Sequence, residues 1–126
     1  MLTTAGAQFL TKAMTGLNSP TLYNSSNTYL GVGDSATAAA IGQTDLQAAT
    51  NKSRVLVTSI AESAGVVTAV STWGTSVGNY DWVEHGMFNA SSGGTMFYRK
   101  VESPSLGTKT SAQVWSLSLT GTMSAA

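Results

Sequence analysis

At 126 residues with 42% hydrophobic residues, the chain can bury one core of ordinary size and leaves little room for a second domain. Charged residues make up only 10%, with six Lys and Arg balancing six Asp and Glu; this is far below the roughly 25% of ordinary globular chains, and with no dense basic run nucleic acid is not an expected partner. The absence of Cys excludes disulfide staples and thiolate metal sites, and no apolar stretch is long enough for a bilayer span, so no membrane partner is expected either.

The elements are predicted in chain order as follows. Leu2, Ala5, Phe9, Ala13 and Leu17 recur near helical spacing, with Thr3 or Thr4 to cap the start and Gly16 to end it, which predicts a short amphipathic helix over residues 2–17. Its stripe either closes one end of a sheet or docks on a neighbouring subunit. Met1–Gly16 lacks the basic start and unbroken apolar centre of an export signal, so it is read as mature protein. Asn, Ser and Pro between Leu17 and Asn27 mark a connection, Thr28–Val32 a short strand, and Gly33-Asp34-Ser35 a turn. Thr44-Asp45-Leu46-Gln47 has capping-box spacing and predicts one helical turn over Asp45–Ala49.

Arg54–Ile60 and Val66–Trp73 read as strands joined by Ala61–Gly65, and Thr75–Asn79 as a loop. Trp82–Val101 reads as a hairpin whose turn is Asn89–Gly94, because adjacent glycines admit positive-φ geometry and the flanking aromatic residues favour a pleated surface. Val114–Thr120 alternates sharply, sending Trp115, Leu117 and Leu119 to one face and Ser116, Ser118 and Thr120 to the other. Short strands without regular crossover helices predict a mainly β single domain over residues 1–126, an antiparallel β-sandwich for which a jelly roll is one form, with a short N-terminal helix.

The chemical motifs are sparse. Gly31-Val32-Gly33-Asp34-Ser35-Ala36 satisfies a dinucleotide fingerprint in spacing, but no helix follows and no acidic residue stands at the required distance, so an ordinary turn is the better reading. His85 is the single histidine and lies near Asp81 and Glu84. Strand alternation points Glu84 and His85 to opposite faces, which favours a hydrogen-bonded structural histidine over an acid–base or metal site. Ser91 and Ser92 sit at a hairpin tip without a nucleophile elbow. Trp73, Trp82, Trp115, Tyr80 and Tyr98 are read as core, with a sugar-stacking platform as the alternative. No enzyme activity and no cofactor are expected.

The ordered blocks Leu30–Ser35, Gly42–Gln47, Trp82–Ala90, Gly93–Met96 and Ser105–Thr110 resemble a family of small tailed-bacteriophage structural proteins. The resemblance implies a noncatalytic virion component, a capsid cement or decoration subunit on the outer capsid surface that binds the major capsid protein or other virion subunits and forms homo-oligomers. Related patterns also occur in tail and fibre parts, so a tail component with receptor or carbohydrate binding is the alternative, and a small hydrolase comes third. For a cement role the expected contacts are distributed and weak, gaining strength by avidity. Leu2 and Phe9 are the candidate docking residues, and Arg99, Lys100 and Lys109 the candidate polar rim, with Arg99 and Lys100 on opposite strand faces as independent charges.

Overall fold

The computed structural model describes residues 1–124. Helix α1 (Thr4–Thr15) is followed by seven strands: β1 (Tyr29–Gly33), β2 (Lys52–Leu56), β3 (Ser59–Ser63), β4 (Val66–Trp73), β5 (Glu84–Phe88), β6 (Met96–Val101) and β7 (Trp115–Thr122). They form a four-stranded sheet in the order β2-β1-β5-β6 and a three-stranded sheet in the order β3-β4-β7, every pairing antiparallel. This is the β-sandwich that the alternating short strands predict.

The main core lies between the sheets and is built from Leu30, Val32, Val57, Ala69, Trp73, Trp82 and Leu117. Its three tryptophans meet edge to face, with ring centroids 4.9 Å apart for Trp73 and Trp82 and 5.1 Å for Trp82 and Trp115. Such pairs add to the area that the rings bury. Trp73 and Trp82 are buried and Trp115 half-buried, so these rings fill the core and do not form an exposed sugar platform.

A second apolar cluster of Leu46, Phe88 and Met96, with Tyr29 against it, occupies the opposite face of the four-stranded sheet. The segment between β1 and β2 lies over this face, which explains the glycines of the false nucleotide fingerprint. A Cβ on Gly31 would stand 2.8 Å from the Phe88 ring, and one on Gly33 would overlap the Glu84 carboxylate. The two glycines are there to admit a ring and a carboxylate over the sheet.

Two predicted elements differ. Arg54–Ile60 is not one strand: β2 belongs to the four-stranded sheet and β3 to the three-stranded one, with Val57 and Thr58 carrying the chain across. Val57 donates its N–H to the Thr28 carbonyl at 3.0 Å and Thr58 to the Val70 carbonyl at 2.7 Å, so this corner hands the chain from one ladder to the other. The following hairpin turns on Ala64 and Gly65 alone, at φ 50° and 81°, with Ser63 opposite Val66; two left-handed residues match the twist of a two-residue connection.

The helical turn predicted over Asp45–Ala49 is absent. The amides that would have been capped locally are captured from afar: Gln47 and Ala48 donate their N–H groups to the two Glu84 carboxylate oxygens, each at 2.8 Å. The Asp45 carboxylate accepts from Lys52 at 2.9 Å and Arg54 at 3.1 Å. Although partial burial pushes the Asp45 pKa upward, these hydrogen bonds outweigh it and hold the group below its ordinary value.

Candidate assembly surface

The N-terminal segment is held by three devices. Met1 and Arg99 exchange backbone bonds, the Met1 amino group donating to the Arg99 carbonyl at 2.8 Å and the Arg99 N–H to the Met1 carbonyl at 3.0 Å. With the Thr3 N–H donating to the Phe97 carbonyl at 3.1 Å, residues 1–3 run as a short added strand on the open edge of β6. Thr3 then caps α1, its hydroxyl oxygen accepting from the Gly6 N–H at 2.9 Å. Gly6 is fixed by close approach: a Cβ there would overlap the Phe97 carbonyl oxygen.

Phe9 packs edge to face on Tyr23 at 4.8 Å and on Phe97 at 6.5 Å, and the Tyr23 hydroxyl donates to the Thr95 carbonyl at 2.6 Å. Burial raises the Tyr23 pKa above the usual phenol range. Phe9 therefore docks the helix on its own sheet, against Tyr23 and the edge strand β6. Leu2 lies in the added strand rather than in the helix, and remains 42% exposed. Gly16, at φ 70°, ends α1, so Leu17 falls beyond the helical stripe; Met14, Leu17 and Leu22 are 82%, 64% and 52% exposed.

Of the three predicted rim cations, only Lys100 is at the surface, 3.1 Å from the Glu102 carboxylate. Arg99 and Glu84 are 1% and 0% exposed, and the guanidinium donates to the carboxylate at 2.6 Å. Arg99 also donates to the Thr37 carbonyl at 2.8 Å and to Gln43 Oε1 at 3.2 Å. Alternation does place Arg99 and Lys100 on opposite faces, but the face of Arg99 is covered by residues 34–51 rather than by water. The pair is the anchor of that cover. Lys109 is 1% exposed; its ammonium donates to Asn79 Oδ1 at 2.7 Å, while its N–H donates to the Tyr80 carbonyl at 3.2 Å. It ties the segment before β7 to the loop before β5, because the 106–109 stretch pairs with residues 80–82.

His85 is buried and fully bonded: Nδ1 lies 2.7 Å from the Tyr98 hydroxyl and Nε2 lies 2.9 Å from Glu102 Oε1. Since a carboxylate only accepts, the neutral ring carries its proton on Nε2 and accepts at Nδ1 from Tyr98. Burial lowers the His85 pKa against the opposing pull of Glu102. The bond from His85, followed by that from Lys100, lowers Glu102, and burial raises Tyr98. Asp81 plays no part in this line; it accepts from Ser105 at 2.6 Å. The line runs from the buried imidazole out to the partly exposed Glu102 carboxylate, and its residues wall neither of two surface depressions.

One depression, of about 310 Å³, lies between α1, residues 18–21 and the β5–β6 hairpin, with Phe9 among its walls. The other, of about 320 Å³, is walled by Asp45, Lys52, Arg54 and the hairpin tip Ser91–Gly93. Arg54 closes the second from below: its guanidinium stacks 3.5 Å over the Phe88 ring and donates to the Ala90 and Gly93 carbonyls, each at 2.9 Å. Glu84, Arg54 and Tyr23 organise this side of the molecule and are not legible as such in the sequence. The one signal for Glu84 is Gly33, a glycine where a strand gains nothing from lacking a side chain unless another group lies over it. No protein-family model, curated protein or solved structure matches the chain.

Proposed function

We propose that this chain is a noncatalytic structural subunit of a bacteriophage virion, a capsid cement or decoration protein that binds neighbouring coat subunits on the outer capsid surface. The observation that carries the reading is the exposed apolar residues at the N-terminal end: Met14, near the end of a helix docked through Gly6 and Phe9, and Leu17 and Leu22, in the connection that follows it, stand out in solvent. Large apolar side chains left in solvent within one short stretch of chain are suited to a protein interface. The sequence blocks on which the phage resemblance rests also share a location. Leu30–Ser35, Trp82–Ala90 and Gly93–Met96 contribute strands of the four-stranded sheet or their turns, Gly42–Gln47 lies in its cover, and Ser105–Thr110 pairs beside residues 80–82.

The test is location and loss of binding. Labelled protein added to virions should decorate the capsid lattice, and the triple variant Met14→Ser, Leu17→Ser, Leu22→Ser should lose that decoration while keeping the β circular-dichroism signature of the parent. Signal confined to the tail would support a tail or fibre component instead, and no binding to any part of the particle would refute the virion reading.

A further inference from the structure

Four sheet edges exist in this sandwich, and three are blunted. The edge of β6 is covered by residues 1–3, β2 carries Lys52, and β3 carries Glu62. Edge strands present unpaired N–H and C=O groups, and charges or covers are the usual protection against pairing with another chain. Among the described residues β7 pairs with β4 alone, in an unshifted register from Trp115 to Thr122. From Thr110 onward the sequence holds no charged side chain and no proline.

The direction of each backbone group on β7 follows from two bonds. The Met123 N–H donates to the Gly65 carbonyl at 2.9 Å, and antiparallel pairs alternate between bonded and non-bonded. Residues 115, 117, 119 and 121 therefore bond to β4, leaving the N–H and C=O groups of Ser116, Ser118, Thr120 and Thr122 aimed at the open edge. The two-residue hairpin gives the same parity independently: Val66 faces β3, so its neighbours on β4 face β7.

We infer that β7 pairs antiparallel with β7 of a second copy of this chain about a two-fold axis at Leu119. Opposed residues in such a ladder must share a sheet face, and this register satisfies the requirement along the whole strand. Ser116 meets Thr122 and Ser118 meets Thr120 on the outer face, exchanging roughly eight backbone hydrogen bonds in all. On the inner face Leu119 meets its own copy and Leu117 meets Gly121, around whose Cβ position nothing lies within 4 Å. Trp115 meets Met123, which is otherwise 72% exposed. No like charges are opposed anywhere along the seam, so the strand is complementary to itself. The result joins two three-stranded sheets into one continuous sheet across the axis. It gives the homo-oligomer of the proposed assembly a defined contact, and in that sense it rests on that reading, but the exposed Met14, Leu17 and Leu22 belong to a different part of the chain.

Sedimentation of the full chain across a concentration series should show a dimer. The double variant Ser118→Lys, Thr120→Lys changes only exposed positions and should sediment as a monomer with an unchanged circular-dichroism spectrum. Mixing it with Ser118→Glu, Thr120→Glu should restore a dimer, because the register sets each lysine opposite a glutamate. The cysteine-free background allows a second readout that does not depend on those variants folding. Leu119→Cys places two thiols in a non-hydrogen-bonded pair with Cβ atoms about 4.5–5.5 Å apart, near disulfide reach, and should give a covalent dimer on oxidation. Ser118→Cys, diagonal to its copy, should not. A parent chain that is monomeric at every concentration, a dimer indifferent to both charge pairs, or cross-linking of the Ser118→Cys variant in place of the Leu119→Cys variant would each overturn the inference. A dimer that nevertheless fails to bind virions would instead defeat the virion reading alone.

Discussion

Glu84 shows how one side chain can fix a whole segment. Its carboxylate accepts from Arg99, Gln47 and Ala48, replacing lost hydration with charge-assisted bonds from three directions. Glu84→Gln should leave the Arg99 guanidinium buried without its counter-charge, and breaking a buried pair in this way destabilises by about 3–5 kcal/mol. Denaturant unfolding is the check, and Glu84→Gln, Arg99→Met should recover part of the loss because no unpaired charge remains. His85 makes the opposite kind of contribution. Its folded-state pKa lies below the ordinary 6.5, so between the two values the unfolded chain binds more protons. The stability that the neutral ring contributes is complete above pH 6.5 and is lost as pH falls through the folded-state pKa. Thermal melts of the parent should decline across that window, and His85→Gln should have a lower melting temperature at neutral pH with a flatter profile through the same window. An unchanged slope in the variant would assign the acid response to other groups.

Among the elements, the β5–β6 hairpin separates two glycines that look alike in sequence. Both are left-handed, Gly93 at φ 61° and Gly94 at φ 66°, as the adjacent-glycine turn predicts. Their surroundings differ: a Cβ on Gly94 would lie 2.7 Å from both the Ala90 Cβ and Asn89 Oδ1, whereas one on Gly93 would meet nothing within 4 Å. Gly93→Ala should therefore cost about 1 kcal/mol, the conformational penalty alone. Gly94→Ala should cost more, because it also displaces Asn89, whose side chain bridges the Thr95 N–H and the Thr21 carbonyl. Equal effects in urea unfolding would show that the turn relaxes freely. The Asp45–Ala49 stretch teaches the same lesson at the level of an element: a local capping signal yields when a distant carboxylate takes the same amides.

For the whole molecule, the N-terminal segment both completes a sheet edge and projects apolar surface. Deleting residues 1–17 removes the added strand from β6 and Phe9 from Tyr23 and Phe97, but touches none of the residues between the sheets. The truncated chain should retain the β signature by circular dichroism, lose particle binding, and aggregate through the uncovered β6 edge. Loss of the β signature itself would make the helix a part of the folding core rather than an assembly device.

The sequence by itself determined the fold class, because a period of two in Trp115–Thr120, glycine pairs at turns and a capped helical stripe at the N-terminus are local signals that the sandwich has no reason to override. Thr3, Gly16, Gly93 and Gly94 all act where the chain alone places them, and the opposite orientation of Glu84 and His85 was equally legible. Only the tertiary structure decided which faces see water. A strand's alternation assigns Arg99 to one face but cannot say that residues 34–51 will cover it, and nothing local reveals that Lys109 will be enclosed by the loop ending at Asn79. The same limit applies to the break at Val57 and Thr58, since a continuous β-rich run reads alike whether it stays in one sheet or crosses to the other. Burial, edge exposure and ion pairing are properties of contacts between residues far apart in the chain, and they are therefore set by packing rather than by pattern.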